Sequence, residues 1–353
     1  MSSSSEPVRI GLIGCGRIAQ LVHFDALERV AGLQLVAAAE PNAERRSEVT
    51  LRSAALRVVE THSELLELPE VEAVLISLPN NLHAEVACAA LTAGKHVYLE
   101  KPLATNMKDG QRVVDLWRDA GRIGMIGFNY RFNSLHAELR QAITTAQYGA
   151  PLLIRSSFSS PKRELPPWKR ERASGGGVLL DFASHHIDLL RFLTDQEVRS
   201  VSAEIKSLST EEDTATLQLE LESGTPVQSY FSTSATEQDR FEIQFEGVTL
   251  LLDRLGAKRL QFRPPTRESS RVARALGELS SITRLPGKLL AALASGWEPS
   301  FDACLEQFAG AIRGDREATP TLADGLRSLE VVDAAEKSAR TGTRVLLDSA
   351  ENG

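Results

Sequence analysis

Asp181, His185, His186 and Asp188 lie close together in GGGVLLDFASHHIDLL, the otherwise apolar segment Gly175–Leu190. Titratable side chains in such a segment need a reason, because burying them without partners costs free energy. In a helix each residue advances the direction by about 100°, so His185 returns over Asp181 and Asp188 falls near the same face. His186 points about 140° away from Asp181 and reads as structural. A carboxylate and an imidazole facing one space suit proton exchange with a bound molecule. Two plainer roles stay open: Asp181 as a helix N-cap and His185 as a satisfied core histidine.

Two other stretches suggest what such a pair would act on. HVYLEKPLATN sets Glu100, Lys101 and Pro102 directly after an expected strand, and open parallel sheets bind ligands beyond the carboxyl ends of their strands. Pro102 keeps Lys101 out of the helical region and admits a cis bond between them. GLIGCGRIA contains Gly14-x-Gly16-x-x-Ala19, the dinucleotide fingerprint with Ala in its last place. Gly14 permits a tight turn, Gly16 lets a pyrophosphate reach the backbone, and Ala19 lets helix and strand pack closely. Arg17 and Ile18 open the helix whose free N–H groups would face the phosphates. Glu40 ends the next strand 21 residues beyond Ala19, where an acid holds the adenine ribose hydroxyls and favours NAD. Arg45 and Arg46 keep NADP as the alternative. A methyltransferase binding S-adenosylmethionine would share these features, so the first 40 residues do not fix the reaction.

The elements that must position these groups fall into two textures. Strand-like VRIGLI, LQLVAAAE, VEAVLISLPNN, HVYLE and RIGMIGFNY alternate with helical stretches such as HAEVACAALTAG and VVDLWRDAG, which implies a Rossmann-type parallel sheet covered by helices. Later, TLQLELESG and FEIQFEG alternate apolar with polar residues, the period of strands wet on one face. With LLIRSSFSS, VRSVSAEIKSL, VQSYFSTS and VTLLLDRL they predict an open, largely antiparallel sheet. The expectation is an α/β protein of two domains, 1–127 for the dinucleotide and 128–353 for substrate and assembly. A basic helical insertion is expected near 258–298. Residues 258–288 hold eight Lys or Arg against Glu268 and Glu278, either a solvated face or an arm attracting an anionic substrate.

At 353 residues the chain exceeds what one core usually supports. A net charge of −7 argues against a general nucleic-acid binder. Three scattered cysteines fit neither a disulfide framework nor a metal site, and suit a reducing cytosol. MSSSSEP lacks the basic and apolar regions of a secretory signal, and no apolar run reaches the length of a membrane span. A cytoplasmic protein with neither membrane nor nucleic-acid partner is expected. No His/Cys cluster has metal-ligand spacing, so no metal is expected, and no G-x-S-x-G elbow points to a hydrolase.

Taken together, GLIGCGRIA, AVLISLPNNLHAEVACAALTAGKHVYLEKPLATN, GFNYRF, GGGVLLDFASHHIDLLRFL and FAGAIRG...DGLRSLEVVDAAEKSARTGTRV resemble the glucose-fructose oxidoreductase and inositol dehydrogenase family, Gfo/Idh/MocA, in order and over nearly the full length. The resemblance implies NAD(P)-dependent hydride transfer involving a secondary alcohol or ketone of a sugar, sugar derivative or cyclic polyol. It matches Lys101, Asp181 and His185 to the family's catalytic positions. Pro79, Asn80, His83 and Glu100, with Lys101, match the lining of the nicotinamide half of the cofactor. Asn129 and Arg131 are expected to face the substrate; from the sequence itself, Trp168, Lys169, Arg170 and Arg172 of WKRERASGGG either help recognise an acidic sugar or form a basic loop. His185 would act as general base, Lys101 would stabilise charge on the reacting oxygen, and Asp188 would orient His185. Ala183 departs from the family's usual Gly, and its methyl is expected to crowd a substrate or shift the helix. A homodimer or homotetramer through the second sheet is implied. Two rivals remain, a nucleotide-responsive binding protein without chemistry and a reductase of imines or unsaturated compounds.

Overall fold

The computed structural model describes residues 6–53, 55–256, 259–264 and 298–347. Most of the expected basic insertion lies outside the described residues.

Six strands form the first sheet: β1 Val8–Ile13, β2 Leu33–Ala39, β3 Arg57–Val59, β4 Ala73–Ile76, β5 His96–Leu99 and β6 Gly124–Ile126. They run in the order β3-β2-β1-β4-β5-β6, all parallel. AVLI of β4 is buried at every position, as expected of a strand covered by helices on both faces. The strand order reverses beside β1, so a crevice opens at the carboxyl ends of β1 and β4.

Eight strands form the second sheet: β7 Leu153–Ser159, β8 Val198–Lys206, β9 Thr214–Leu221, β10 Pro226–Ser232, β11 Gln238–Gln244, β12 Thr249–Asp253, β13 Gln261–Arg263 and β14 Val345–Leu346. Their order is β13-β12-β11-β7-β10-β9-β8-β14, antiparallel except for the parallel pair β7 and β10. Ala215, Leu217, Leu219 and Leu221 of β9 face the core while Thr216 and Gln218 are exposed, so one face of the sheet is polar. The helices Ser184–Thr194 and Leu322–Thr341 belong to the covered side, the latter packing on β8.

The two sheets share one apolar core, in which Ile13, Leu99 and Phe128 belong to the same cluster as Leu180, Phe231 and Ile243. The late helix Pro299–Arg313 returns to the first sheet, where Cys304, Leu305 and Phe308 join the core around Tyr98 and Phe24. Arg29 fixes its start by a two-bond pair with Asp302 at 2.7 and 2.8 Å. Residues contributed by different sheets are therefore held against each other by continuous packing. No helix among the described residues is long and apolar enough to cross a membrane.

Candidate active site

The crevice begins where β1 ends. Gly14 adopts φ +89°, and a Cβ there would stand 2.4 Å from the carbonyl oxygen of Ser77 after β4, so only glycine lets the two strand ends approach. A Cβ on Gly16 would meet nothing within 4 Å, leaving open space over the loop where a phosphate can reach backbone. Arg17 and Ile18 are exposed beside it, and Ala19 is fully buried. The expected α-helix opens with a wider π turn, Ala19–His23, before continuing as Phe24–Arg29. Glu40 accepts the N–H groups of Cys15 at 3.0 Å and Asn42 at 2.9 Å, tying its carboxylate to the glycine loop. Arg45 lies 3.3 Å from both carboxylate oxygens, whereas Arg46 donates to the carbonyls of Glu40 and Pro41. These residues fit a dinucleotide. Burial pushes the Cys15 thiol up to about 12, so it is not a nucleophile.

Several residues expected along the nicotinamide half direct their polar atoms into the protein instead. Asn80 donates to the carbonyl of Gly175 at 2.7 Å. His83 has the carbonyls of Pro102 and Leu78 at 2.6 and 2.9 Å from its ring nitrogens, and burial lowers its pKa. Glu100 is buried with His23 Nε2 at 2.9 Å. Pro79 remains half-buried beside the turn Asn80–Leu82. Asn80, His83 and Glu100 thus brace the crevice, and a sequence pattern does not distinguish bracing from lining.

The first half reaches the second through Lys101. Its Nζ donates to the main-chain oxygen of Asp181 at 2.7 Å and lies 3.3 Å from Asp181 Oδ1, across the cis bond-bearing Lys101-Pro102 corner. Gly175, at φ +95°, makes this junction close, since a Cβ there would stand 2.7 Å from Asn80 Cβ. Asp181 sits in a π turn, Leu179–Ala183, that precedes the helix Ser184–Thr194. The widened turn breaks the 100° arithmetic, and the Asp181 carboxylate meets Lys169 Nζ at 2.9 Å on both oxygens rather than His185. Arg163 stands 3.9 Å away. Burial alone would raise the Asp181 carboxyl, but Lys169, Lys101 and Arg163 outweigh it and hold it well below the ordinary range. Burial lowers the Lys101 ammonium, with Lys169 adding to the effect and Asp181 opposing it.

His185 stacks on Tyr130 with ring centroids 4.6 Å apart. Its Nδ1 is buried without a partner, leaving Nε2 to meet a ligand. Burial, reinforced by Lys101, puts its pKa well below the ordinary histidine value. His186 pairs with Asp239 at 3.2 Å within an aromatic nest, in keeping with a structural role. Ala183 is fully buried, so its methyl meets core rather than substrate.

Four expectations require correction. Asp188 does not orient His185, because its carboxylate takes Arg131 at 2.9 Å. Arg131 does not face substrate, since it also bonds Asp324 at 2.9 Å and is largely buried. Asn129, expected to face the substrate, is buried and donates to Ser300 at 2.8 Å. Arg172 staples Glu336 at 2.6 Å and the Thr105 carbonyl at 3.0 Å. Each is a polar side chain whose partner comes from a distant part of the chain, which spacing could not reveal. Trp168 stays near the site as the ring against which Lys169 lies, 5.4 Å from its centroid. Lys169, expected only as one of the basic residues before the glycines, pairs with Asp181, and Tyr130 was missed.

Arg131→Met should destabilise the fold by about 3–5 kcal/mol, the cost of leaving a buried charge without its partner. Urea unfolding measures it. Burial already raises the Asp188 carboxyl against the pull of Arg131, so the deficit should shrink as pH falls and Asp188 protonates. A variant of normal stability with a raised KM would restore Arg131 to the substrate.

Residues 8–128 match the family model described as "Oxidoreductase family, NAD-binding Rossmann fold", and residues 136–250 match the "GFO/IDH/MocA C-terminal domain". The chain belongs to the Gfo/Idh/MocA oxidoreductase family. Among its relatives, the myo-inositol 2-dehydrogenase of Thermotoga maritima is 33% identical over 224 residues, covering 62% of this chain and 66% of that enzyme. Inositol 2-dehydrogenase 3 of Saccharopolyspora erythraea is 28% identical over 95% of this chain and 94% of its own length. The fold matches that of the WlbA dehydrogenase from Bordetella pertussis, solved with NADH and UDP-GlcNAcA, at a TM-score of 0.84 and 23% identity over 99% of this chain and 100% of that one.

Proposed function

We propose that this protein is an NAD-dependent dehydrogenase or reductase acting on a secondary alcohol or ketone of a sugar, sugar derivative or cyclic polyol. One observation carries the reading: Lys101 from the first half meets Asp181 from the second at 2.7 Å, in the family's order and beside His185. Bound NAD supplies the hydride acceptor. The chain's part is to take the hydroxyl proton at His185 Nε2 while Lys101 donates to the oxygen on which charge develops. Asp181, held anionic by its cations, keeps Lys101 aimed. Following NADH absorbance across sugars, sugar acids and cyclic polyols tests the reading, and no turnover of any of them would overturn it.

Glu40 favours NAD, because its carboxylate would repel the additional phosphate of NADP. Glu40→Gln keeps an acceptor for Cys15 and Asn42 but removes the charge. The NADP-to-NAD ratio of kcat/KM should then rise about tenfold, through loss of the repulsive element, with Arg45 free to meet the phosphate. An unchanged ratio would move cofactor discrimination elsewhere. The polar outer face of the second sheet is the surface through which we propose the chain assembles into a dimer or tetramer, and light scattering would report its mass.

A further inference from the structure

His185 makes no hydrogen bond to any described residue. Its Nδ1 is buried without a partner, Asp188 is taken by Arg131, and the Asp181 carboxylate is taken by Lys169. An imidazole that accepts a proton at one nitrogen is ordinarily aimed by a hydrogen bond at the other. Here that anchor is missing, so the direction of Nε2 has to be set by packing on the ring.

Tyr130 supplies the packing. It stands on the 3₁₀ turn Asn129–Phe132 that follows β6, and its ring lies nearly parallel to that of His185, at 24° with centroids 4.6 Å apart. The tilted ring of Phe158 is farther off, at 6.2 Å. Tyr130 is held in turn by the Arg254 guanidinium, 4.5 Å from its centroid, and by the buried ring of His136 at 5.9 Å, contacts that an aromatic ring favours. Arg254 is fixed by Asp239, to which its Nε donates at 2.6 Å, and by Glu298 at 3.5 Å. Asp239 also takes His186 at 3.2 Å. One buried carboxylate on β11 therefore anchors both adjacent histidines, His186 directly and His185 through Arg254 and Tyr130. The Tyr130 hydroxyl has no hydrogen-bond partner among the described residues, so the ring carries the contact.

We propose that Tyr130, clamped by Arg254, is the positioning residue of His185: its ring fixes the plane of the imidazole so that Nε2 meets the substrate hydroxyl, in place of a carboxylate holding Nδ1. The inference rests on the dehydrogenase reading, in which His185 takes the proton, and the test separates the two.

Tyr130→Leu removes the flat surface and Tyr130→Phe keeps it. In NADH assays Tyr130→Leu should lower kcat about a hundredfold, the scale of a misaimed reacting group, with KM within a few-fold of the parent. Tyr130→Phe should recover most of that loss. The acid limb of kcat/KM should move up by about one pH unit in Tyr130→Leu, because an uncovered imidazole is better hydrated and holds its proton more easily. The charged and titratable groups that act on His185, Lys101, Asp181, His186 and Asp239, are the same in all three proteins, so the displacement reads the cover alone. A loss in Tyr130→Phe as large as in Tyr130→Leu would give the role to the hydroxyl. A Tyr130→Leu enzyme with the parental kcat, or with an unmoved acid limb, would leave Tyr130 as core packing. Either result overturns the proposal.

His185 can also be observed in the parent protein without turnover. Of the seven histidines, labelled with carbon-13 in their rings, the one whose signal is absent from His185→Gln is identified by nuclear magnetic resonance. In the parent that signal should be displaced upfield by the Tyr130 ring, and an undisplaced signal rejects the stack. If no sugar is turned over, the dehydrogenase reading fails, and this signal still decides whether Tyr130 holds His185.

Discussion

Lys101→Met should lower kcat about a thousandfold and leave nucleotide affinity within a few-fold of the parent. Methionine keeps the unbranched stem and removes the donor, so the loss measures stabilisation of charge on the reacting oxygen, which a single well-placed donor supplies at about 10²–10³-fold or more in a dry site. The fold should survive, because Asp181 retains Lys169 at 2.9 Å and is not left as an unpaired buried carboxylate. Nucleotide binding should survive because the open loop at Gly16 and the Glu40 carboxylate do not depend on Lys101. Single-turnover rates with tightly bound NADH, together with fluorescence titration of the nucleotide, separate the two effects. A variant turning over within tenfold of the parent would place the oxygen contact on another residue, with Lys169 the first candidate.

Much of the scaffold was legible because its signals are local. Gly14, Gly16 and Ala19 announce a turn, and the apolar runs of β1, β4 and β5 announce buried parallel strands. The alternation in β9 announces a sheet with one wet face. Lys101, Asp181 and His185 were nominated by type and position, and the fold brings Lys101 and Asp181 into contact. What could not be read is how polar side chains choose among partners far apart in sequence. Arg131 and Asp188 are 57 residues apart and Arg131 and Asp324 are 193 apart, so Arg131 as a buried strut looks, in one dimension, the same as Arg131 as a ligand. The π turn at Leu179–Ala183 likewise leaves no mark on composition, yet within it the Asp181 carboxylate pairs with Lys169. Local pattern fixes the elements, and tertiary pairing decides which of their polar tips stay free for chemistry.

The profile of kcat/KM against pH for alcohol oxidation should be broad on the acid side and curtailed on the alkaline side. The acid limb belongs to His185, which must be neutral to accept a proton. Its pKa lies well below the ordinary 6.5, because it is buried with Lys101 and His186 pressing against its charge, and Asp181 and Asp239 only partly compensate. Its buried Nδ1 has no acceptor to stabilise an imidazolium. As pH falls, activity should therefore hold through the usual histidine range and drop only beneath it. Asp181, held far below the ordinary carboxylate range, adds no limb there. The alkaline limb belongs to Lys101, which must stay protonated, and burial with Lys169 nearby brings its loss below the ordinary 10.5. Removing Lys169 should move that limb upward, since one of the charges opposing protonation is gone. His185→Gln should remove the acid limb altogether and lower kcat about 10²–10⁴-fold, the usual worth of a positioned proton acceptor. An acid limb near pH 6.5 that persists in His185→Gln would assign the proton to another group, and an imine or unsaturated substrate, which hands no hydroxyl proton to the enzyme, would then account better for the site.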